Sequence, residues 1–210
     1  MNIDFHFYLT VWAFIGVNLI SPGPNVLNTI TTAMGSGRTA GLYSALAVGL
    51  GISLWCLSMA LGVSLVFAVF PIAQTVMRLI GATLLVWFAS KYLKAAYLGY
   101  RKRAPSLHGV SGLTLRASFL RSLSVNALNP KALTTWLFVL SIFPIAKANS
   151  ADVLVLCVGT SIVAMTVHVV YAVVFSTSTA ATAYLRAAPL INASVGTFFL
   201  VVAVKLVLTA

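Results

Sequence analysis

Asn18-Leu19-Ile20-Ser21-Pro22-Gly23-Pro24-Asn25 stands inside an otherwise uninterrupted apolar run from Phe5 to Ala33, and how it is read decides the fold. The run is long enough to cross a bilayer, which takes about 20 apolar residues. Two prolines and a glycine do not suit a regular helix, because each proline removes a backbone donor and crowds the preceding turn. Hydrocarbon offers no water to the carbonyls freed in this way. Neighbouring protein, polar side chains or a water-lined cavity must receive them, which makes a broken span at this depth a candidate binding site.

The chain carries a second, related stretch. Asn126-Ala127-Leu128-Asn129-Pro130-Lys131-Ala132 aligns without a gap to Asn18 through Pro24, pairing Asn18 with Asn126 and Pro22 with Pro130. The two lie 108 positions apart (126 minus 18) in 210 residues, which suggests an internal duplication. The aligned stretches differ at one telling place: Gly23 in the first corresponds to Lys131 in the second.

With 60% hydrophobic and 7% charged residues and a mean hydropathy of +1.04, the chain is no soluble globular protein, which would carry about 25% charged residues. It reads as an all-α polytopic membrane protein. Thirteen bases against two acids would suggest nucleic acid in a soluble chain. Here the bases flank apolar spans, where topology and anionic lipid headgroups account for them, so lipid and not nucleic acid is the expected partner. Cys56 and Cys157 fall within spans and read as small apolar packing groups. The first 37 residues hold Asp4 and no Lys or Arg before Arg38, unlike the basic start of a secretory signal, so the first segment is expected to stay as a helix.

Six spans are expected, at roughly 5–33, 41–68, 72–95, 117–143, 152–176 and 187–208, with the first and fourth broken at the proline motifs. The hydrophilic connection at about 99–115 contains Arg101-Lys102-Arg103, and by the positive-inside rule it is cytoplasmic. Arg38, Lys91, Lys94, Arg116, Arg121 and Arg186 then fall on the same side. Asp4, Arg78, Lys147, Asp152 and Lys205 fall outside, together with both termini. Three helices on either side of the basic loop give a first repeat at about 1–98 and a second at about 116–210. An odd number of helices per repeat makes the two inverted with respect to each other. In the second span Gly37, Gly41, Ala45, Gly49 and Ser53 form a small-residue stripe, expected to admit a neighbouring helix closely; such stripes also allow a homodimer.

Four stretches in this order and spacing resemble the LysE/RhtB family of bacterial amino-acid exporters. They are Ser21-Pro22-Gly23-Pro24-Asn25, Gly37-Arg38-Thr39-Ala40-Gly41, Arg78-Leu79-Ile80-Gly81-Ala82 and Asn129-Pro130-Lys131-Ala132. The first and fourth carry most of the likeness, which extends from the first span through Gly196. The resemblance implies a six-helix inner-membrane protein exporting amino acids or their derivatives, driven by the proton motive force. The chain departs from the family pattern where many members carry an acid early in the second span, since Gly49-Leu50-Gly51-Ile52-Ser53-Leu54 stands there, and at Leu84, near a common tyrosine.

A zwitterionic substrate brings a carboxylate and an ammonium into low dielectric, and both need partners. Helices restarting after Pro22 to Pro24 and after Pro130 aim free N–H groups at a carboxylate. Freed carbonyls and the side-chain oxygens of Asn18, Ser21, Asn25, Asn126 or Asn129 suit an ammonium. Asn18, Ser21, Pro22, Gly23, Pro24, Asn25, Asn126, Asn129, Pro130 and Lys131 are therefore the candidate substrate-binding residues. Lys131 is the deepest base, ten residues past Arg121 and so about 15 Å further along a helix. It either meets the substrate carboxylate or caps carbonyls exposed by the break. His168, one turn from Tyr171, is the candidate for proton coupling, because no acid is embedded within a span and imidazole alone exchanges protons near neutrality. No cluster of His, Asp and Glu is apparent, so neither metal nor cofactor is expected. The alternatives to a secondary exporter are a channel-like permease, which uses the same broken helices, and an intramembrane enzyme, for which no assembled nucleophile and base are present.

Overall fold

The computed structural model describes residues 3–70, 72–101 and 107–208, and they form eight α-helices with no strand among them. The order is α1 (Phe5–Ile20), α2 (Pro24–Ser36), α3 (Arg38–Val69), α4 (Ile72–Arg101), α5 (Leu115–Ala127), α6 (Pro130–Ile142), α7 (Ser150–Val174) and α8 (Ser178–Leu208). A single 3-10 turn at Ile145–Lys147 joins α6 to α7.

Five of the helices have a local reason for where they start. The Asp4 carboxylate accepts from His6 N and starts α1. Thr114 does the same for α5 through Ala117 N. Asn149 and Asp152 exchange side-chain and backbone bonds as a capping box at the head of α7. Pro24 and Pro130 each occupy the first turn of their helix, where a missing N–H costs nothing.

Four helices are long and apolar enough to cross a membrane: Arg38–Gly62 within α3, Leu79–Arg101 within α4, α7, and Ser178–Val204 within α8. The pair α1 and α2 passes the same test as one bent unit with a 57° angle between its halves. Polarity is distributed as bilayer solvent demands. Leu46, Leu50, Leu54, Leu57 and Leu61 of α3 face outward, while Ser44 of the same helix, Thr29 and Asn126 are enclosed. The chain is thus an all-helical, multi-pass membrane protein.

In the bundle α4 packs along α8, and α3 packs along α7, α5 and α2. The small-residue stripe of α3 meets α7, where Ser161 Oγ donates to Gly49 O (2.8 Å). Helix α8 begins at Ser178, well before the expected start near 187, and runs through Pro189. The proline ring lies against Gly99 of α4, where an added Cβ would come within 2.8 Å of Pro189 Cγ. Packing against α4 accordingly supports the helix at a proline that removes one of its backbone donors. Residues 102–106 of the expected basic connection, including Lys102 and Arg103, lie outside the described ones. Its later part lies against the end of α2: Val110 N donates to Thr31 O (2.9 Å), and Ser36 Oγ donates to Val110 O (2.6 Å).

Candidate functional site at the two helix breaks

A helix that stops inside the bundle leaves its last carbonyls without helical partners. At the end of α1 these are met by side chains from three other helices. Lys131 Nζ of α6 donates to Asn18 O (2.9 Å), Ser21 O (3.3 Å) and Ser21 Oγ (2.7 Å). Tyr171 Oη of α7 reaches Leu19 O (3.1 Å) and Ile20 O (3.0 Å). Tyr184 Oη of α8 donates to Ile20 O (2.9 Å). The lysine also sits 5.5 Å from the centre of the Tyr92 ring, within cation–π range.

The side chains around the break form a continuous network. Asn18 Nδ2 donates to Thr135 Oγ1 (2.8 Å), and Asn18 Oδ1 accepts from Tyr92 Oη (2.9 Å). Thr135 Oγ1 in turn donates to Lys131 O. Ser21 Oγ lies 3.0 Å from both Asn18 O and Tyr92 Oη, with one hydrogen to offer. The two proline motifs are therefore in direct contact. An added Cβ on Gly23 would stand 3.3 Å from Lys131 Cδ and 3.4 Å from its Nζ, so the glycine of the first motif lies against the lysine arm of the second.

The restarted helices differ in their caps. Asn129 Oδ1 accepts from Lys131 N (3.0 Å) and closes the start of α6. The start of α2 has Gly23 before it and no side-chain cap. Its first N–H groups are left for something else, beside a cation. The breaks also differ in length, with Ser21 to Gly23 between α1 and α2 but only Leu128 and Asn129 between α5 and α6. By position in its helix, Pro24 and not Pro22 matches Pro130.

Asn18, Gly23, Asn25, Asn129, Lys131 and Thr135 line one cavity of about 30 Å³ between the breaks. That is room for one or two waters, against about 300–1,000 Å³ for a ligand pocket. Asn25 is buried, and its Oδ1 has no hydrogen-bond partner among the described residues. Pro22 lies half-buried in the irregular segment, and Pro24 and Pro130 are exposed on their helices.

Asn126 and His168 stand apart from this cavity. Asn126 is wholly buried against α3, where an added Cβ on Gly51 would collide with its amide, and neither amide atom has a partner among the described residues. Its carbonyl accepts from Trp55 Nε1 (3.2 Å). His168 is also fully enclosed: Nδ1 donates to Ala164 O (2.8 Å), Nε2 has no partner among the described residues, and the ring meets Tyr171 edge-on. Tyr171 joins this histidine to the carbonyls of α1.

Sequence reading did not single out Tyr92, Tyr184 or Thr135, which reach the break from distant parts of the chain. It also passed over a buried polar seam. Asn28 Nδ2 donates to Ser122 Oγ (2.7 Å), Ser122 Oγ to Ser44 Oγ (2.7 Å), and Thr29 Oγ1 pairs with Ser44 Oγ (2.9 Å). Here a signal was present: Asn25, Asn28, Thr29 and Thr32 share one face of α2, and Ser118, Ser122 and Asn126 recur every four residues on α5.

Among the described residues no cluster of three His, Cys, Asp or Glu side chains suits a metal. The two acids of the chain stand at helix starts. Asp4 is about 21 Å along α1 from Asn18, and Asp152 accepts from Tyr8 Oη (2.7 Å) at the head of α7. The site is thus one cation facing a set of neutral acceptors, with an uncapped helix start beside it.

No solved structure matches the chain. Over 158 residues it is 27% identical to the homoserine/homoserine lactone efflux protein of Salmonella typhimurium, covering 73% of this chain and 72% of that protein. Over 136 residues it is 29% identical to the threonine efflux protein of Escherichia coli, covering 65% and 66%. Residues 17–210 match the family described as LysE type translocator. This chain, a transporter and not an enzyme, therefore belongs to the LysE type translocator family.

Proposed function

We propose that the protein exports a neutral amino acid across the bacterial inner membrane, binding it between the two helix breaks. The observation that carries this reading is the reach of Lys131 from the second break to Asn18 and Ser21 of the first, which makes one site of two motifs. The substrate carboxylate meets Lys131 and the uncapped start of α2; its ammonium meets the carbonyls at the end of α1 and the Asn25 amide. The site has one cation and no acid, so a zwitterion leaves no charge unpaired, whereas a second positive charge finds no partner. The relatives' names give homoserine, homoserine lactone and threonine as cargo. Homoserine and threonine are small zwitterions of the kind proposed, whereas the lactone bears an amine without a free carboxylate.

In this reading α1 with α2, and α5 with α6, each make one broken span, giving six spans with both termini periplasmic and the 99–115 connection cytoplasmic. Residues of about 1–98 and 116–210 are inverted repeats, and alternating access moves one against the other around the breaks. The polar seam along α2, α3 and α5 is the closed inner path to the site. The proton motive force drives export, with His168 and Tyr171 as the coupling pair, Tyr171 linking the imidazole to the broken end of α1. The small-residue stripe of α3 is taken up within the chain by α7 and α2, so a homodimer would use another lipid-facing surface.

The test is a comparison of intracellular and extracellular amino acids in cells with and without the protein. Expression is expected to lower the intracellular and raise the extracellular level of at least one neutral amino acid. Unchanged distribution of every amino acid would overturn the reading.

A further inference from the structure

Lys131 already holds the place that an incoming ammonium needs. Its Nζ has three hydrogens, and the break supplies three acceptors around it: Asn18 O, Ser21 O and Ser21 Oγ. The Tyr92 ring completes the surround. Resting on the exporter reading above, we infer that Lys131 is a tethered stand-in for the substrate ammonium. In the empty carrier it fills the carbonyl cage; when substrate arrives, the substrate ammonium takes the cage and the Lys131 arm turns to the substrate carboxylate.

Three features support an exchange over a permanent cap. The adjoining cavity is lined by Asn25, whose buried Oδ1 is an acceptor with no partner among the described residues. The start of α2, on the same cavity, has no side-chain cap, so N–H groups are at hand for a carboxylate arriving beside the displaced lysine. Gly23 flanks the lysine arm, and any side chain there would come within 3.3–3.4 Å of Lys131 Cδ and Nζ, so its absence clears the arc through which the arm swings.

The exchange also explains how an empty carrier avoids exposing bare carbonyls in hydrocarbon. An amine without a carboxylate cannot take the cage from Lys131, because the displaced ammonium would have no counter-charge. The device thereby selects molecules that bear both groups.

The cage is testable without transport. Purified wild type and Lys131→Ala are melted in detergent with n-propylammonium chloride or, at equal ionic strength, tetramethylammonium chloride, which has no N–H to donate. Propylammonium at about ten times its dissociation constant is expected to raise the Tm of Lys131→Ala by about 3 °C, with no effect from tetramethylammonium and none on wild type. Lys131→Met supplies a second arm, since its side chain retains the stem to the Cε position and leaves only the Nζ place open. There the probe is ammonium chloride, with the same expected pattern, and this arm decides if the alanine variant does not fold.

An equal response to both salts, an equal response in wild type, or no response in either variant would overturn the inference. Loss of export in Lys131→Ala without an amine response would remove the stand-in and leave the exporter reading. An amine response in a protein that exports no amino acid would support the cage and remove the exporter.

Discussion

Asn126 separates bracing from function at the scale of single residues. Both of its amide atoms are buried without a partner among the described residues. Such groups cost about 1–3 kcal/mol each, a burden that an apolar side chain of similar shape avoids. Asn126→Leu is therefore expected to melt at or above the wild-type temperature while export falls about tenfold, if the amide serves a path or a moving part. A variant that unfolds but transports normally per folded molecule would identify a structural brace. Lys131 shows how far single positions can be read. Its depth was counted along a continuous helix from Arg121, whereas α5 ends at Ala127 and α6 restarts at Pro130; capping of exposed carbonyls was one of two roles open to it. Which carbonyls it meets did not follow, because the partners Asn18 and Ser21 lie 113 and 110 residues away.

At the scale of helices, the breaks depend on Ser21-Pro22-Gly23-Pro24 and Asn129-Pro130, and the rest of the site is built on their consequences. Replacing Pro22, Gly23 and Pro24 together by Ala removes both proline interruptions, which lets α1 run on into α2 and draws its terminal carbonyls into the helix ladder. Lys131, Tyr171 and Tyr184 then lose their acceptors. The expected result is a folded protein whose far-UV circular dichroism shows at least wild-type helicity and whose export is abolished. Retained export would place the site elsewhere. The break itself was legible because proline acts locally. Tyr92 and Tyr184 were not, since Tyr92 is an ordinary span residue and Tyr184 falls in an expected connection until packing brings α4 and α8 to the end of α1. The polar seam lies between these cases: the four-residue recurrence of Ser118, Ser122 and Asn126 is visible in sequence, but only their approach to α2 and α3 distinguishes a buried seam from a solvated face. The last span was expected through Pro189 but from about 187, and the helix starts at Ser178, because the more polar turns before Arg186 are also helical.

For the whole molecule, export coupled to protons requires that an imposed pH gradient drive it. In vesicles, substrate flux is expected to rise when the gradient favours proton movement against substrate and to collapse when an ionophore dissipates it. His168→Ala is expected to retain exchange of substrate for substrate while losing the response to the gradient, since its imidazole is buried against the Tyr171 that caps α1. Full gradient-driven flux in that variant would exclude an essential relay. All of this depends on the two breaks acting as one site, in a bundle whose cavity there now holds only about 30 Å³ and must open to admit cargo. The most direct measurement is amino-acid flux in vesicles reconstituted with equal amounts of folded wild type, Lys131→Ala and Asn18→Ala. The two variants alter different breaks, and both are expected to lose transport, Lys131→Ala by about 100-fold, as befits a buried charge removed from its partners. Undiminished flux in both would contradict a shared site.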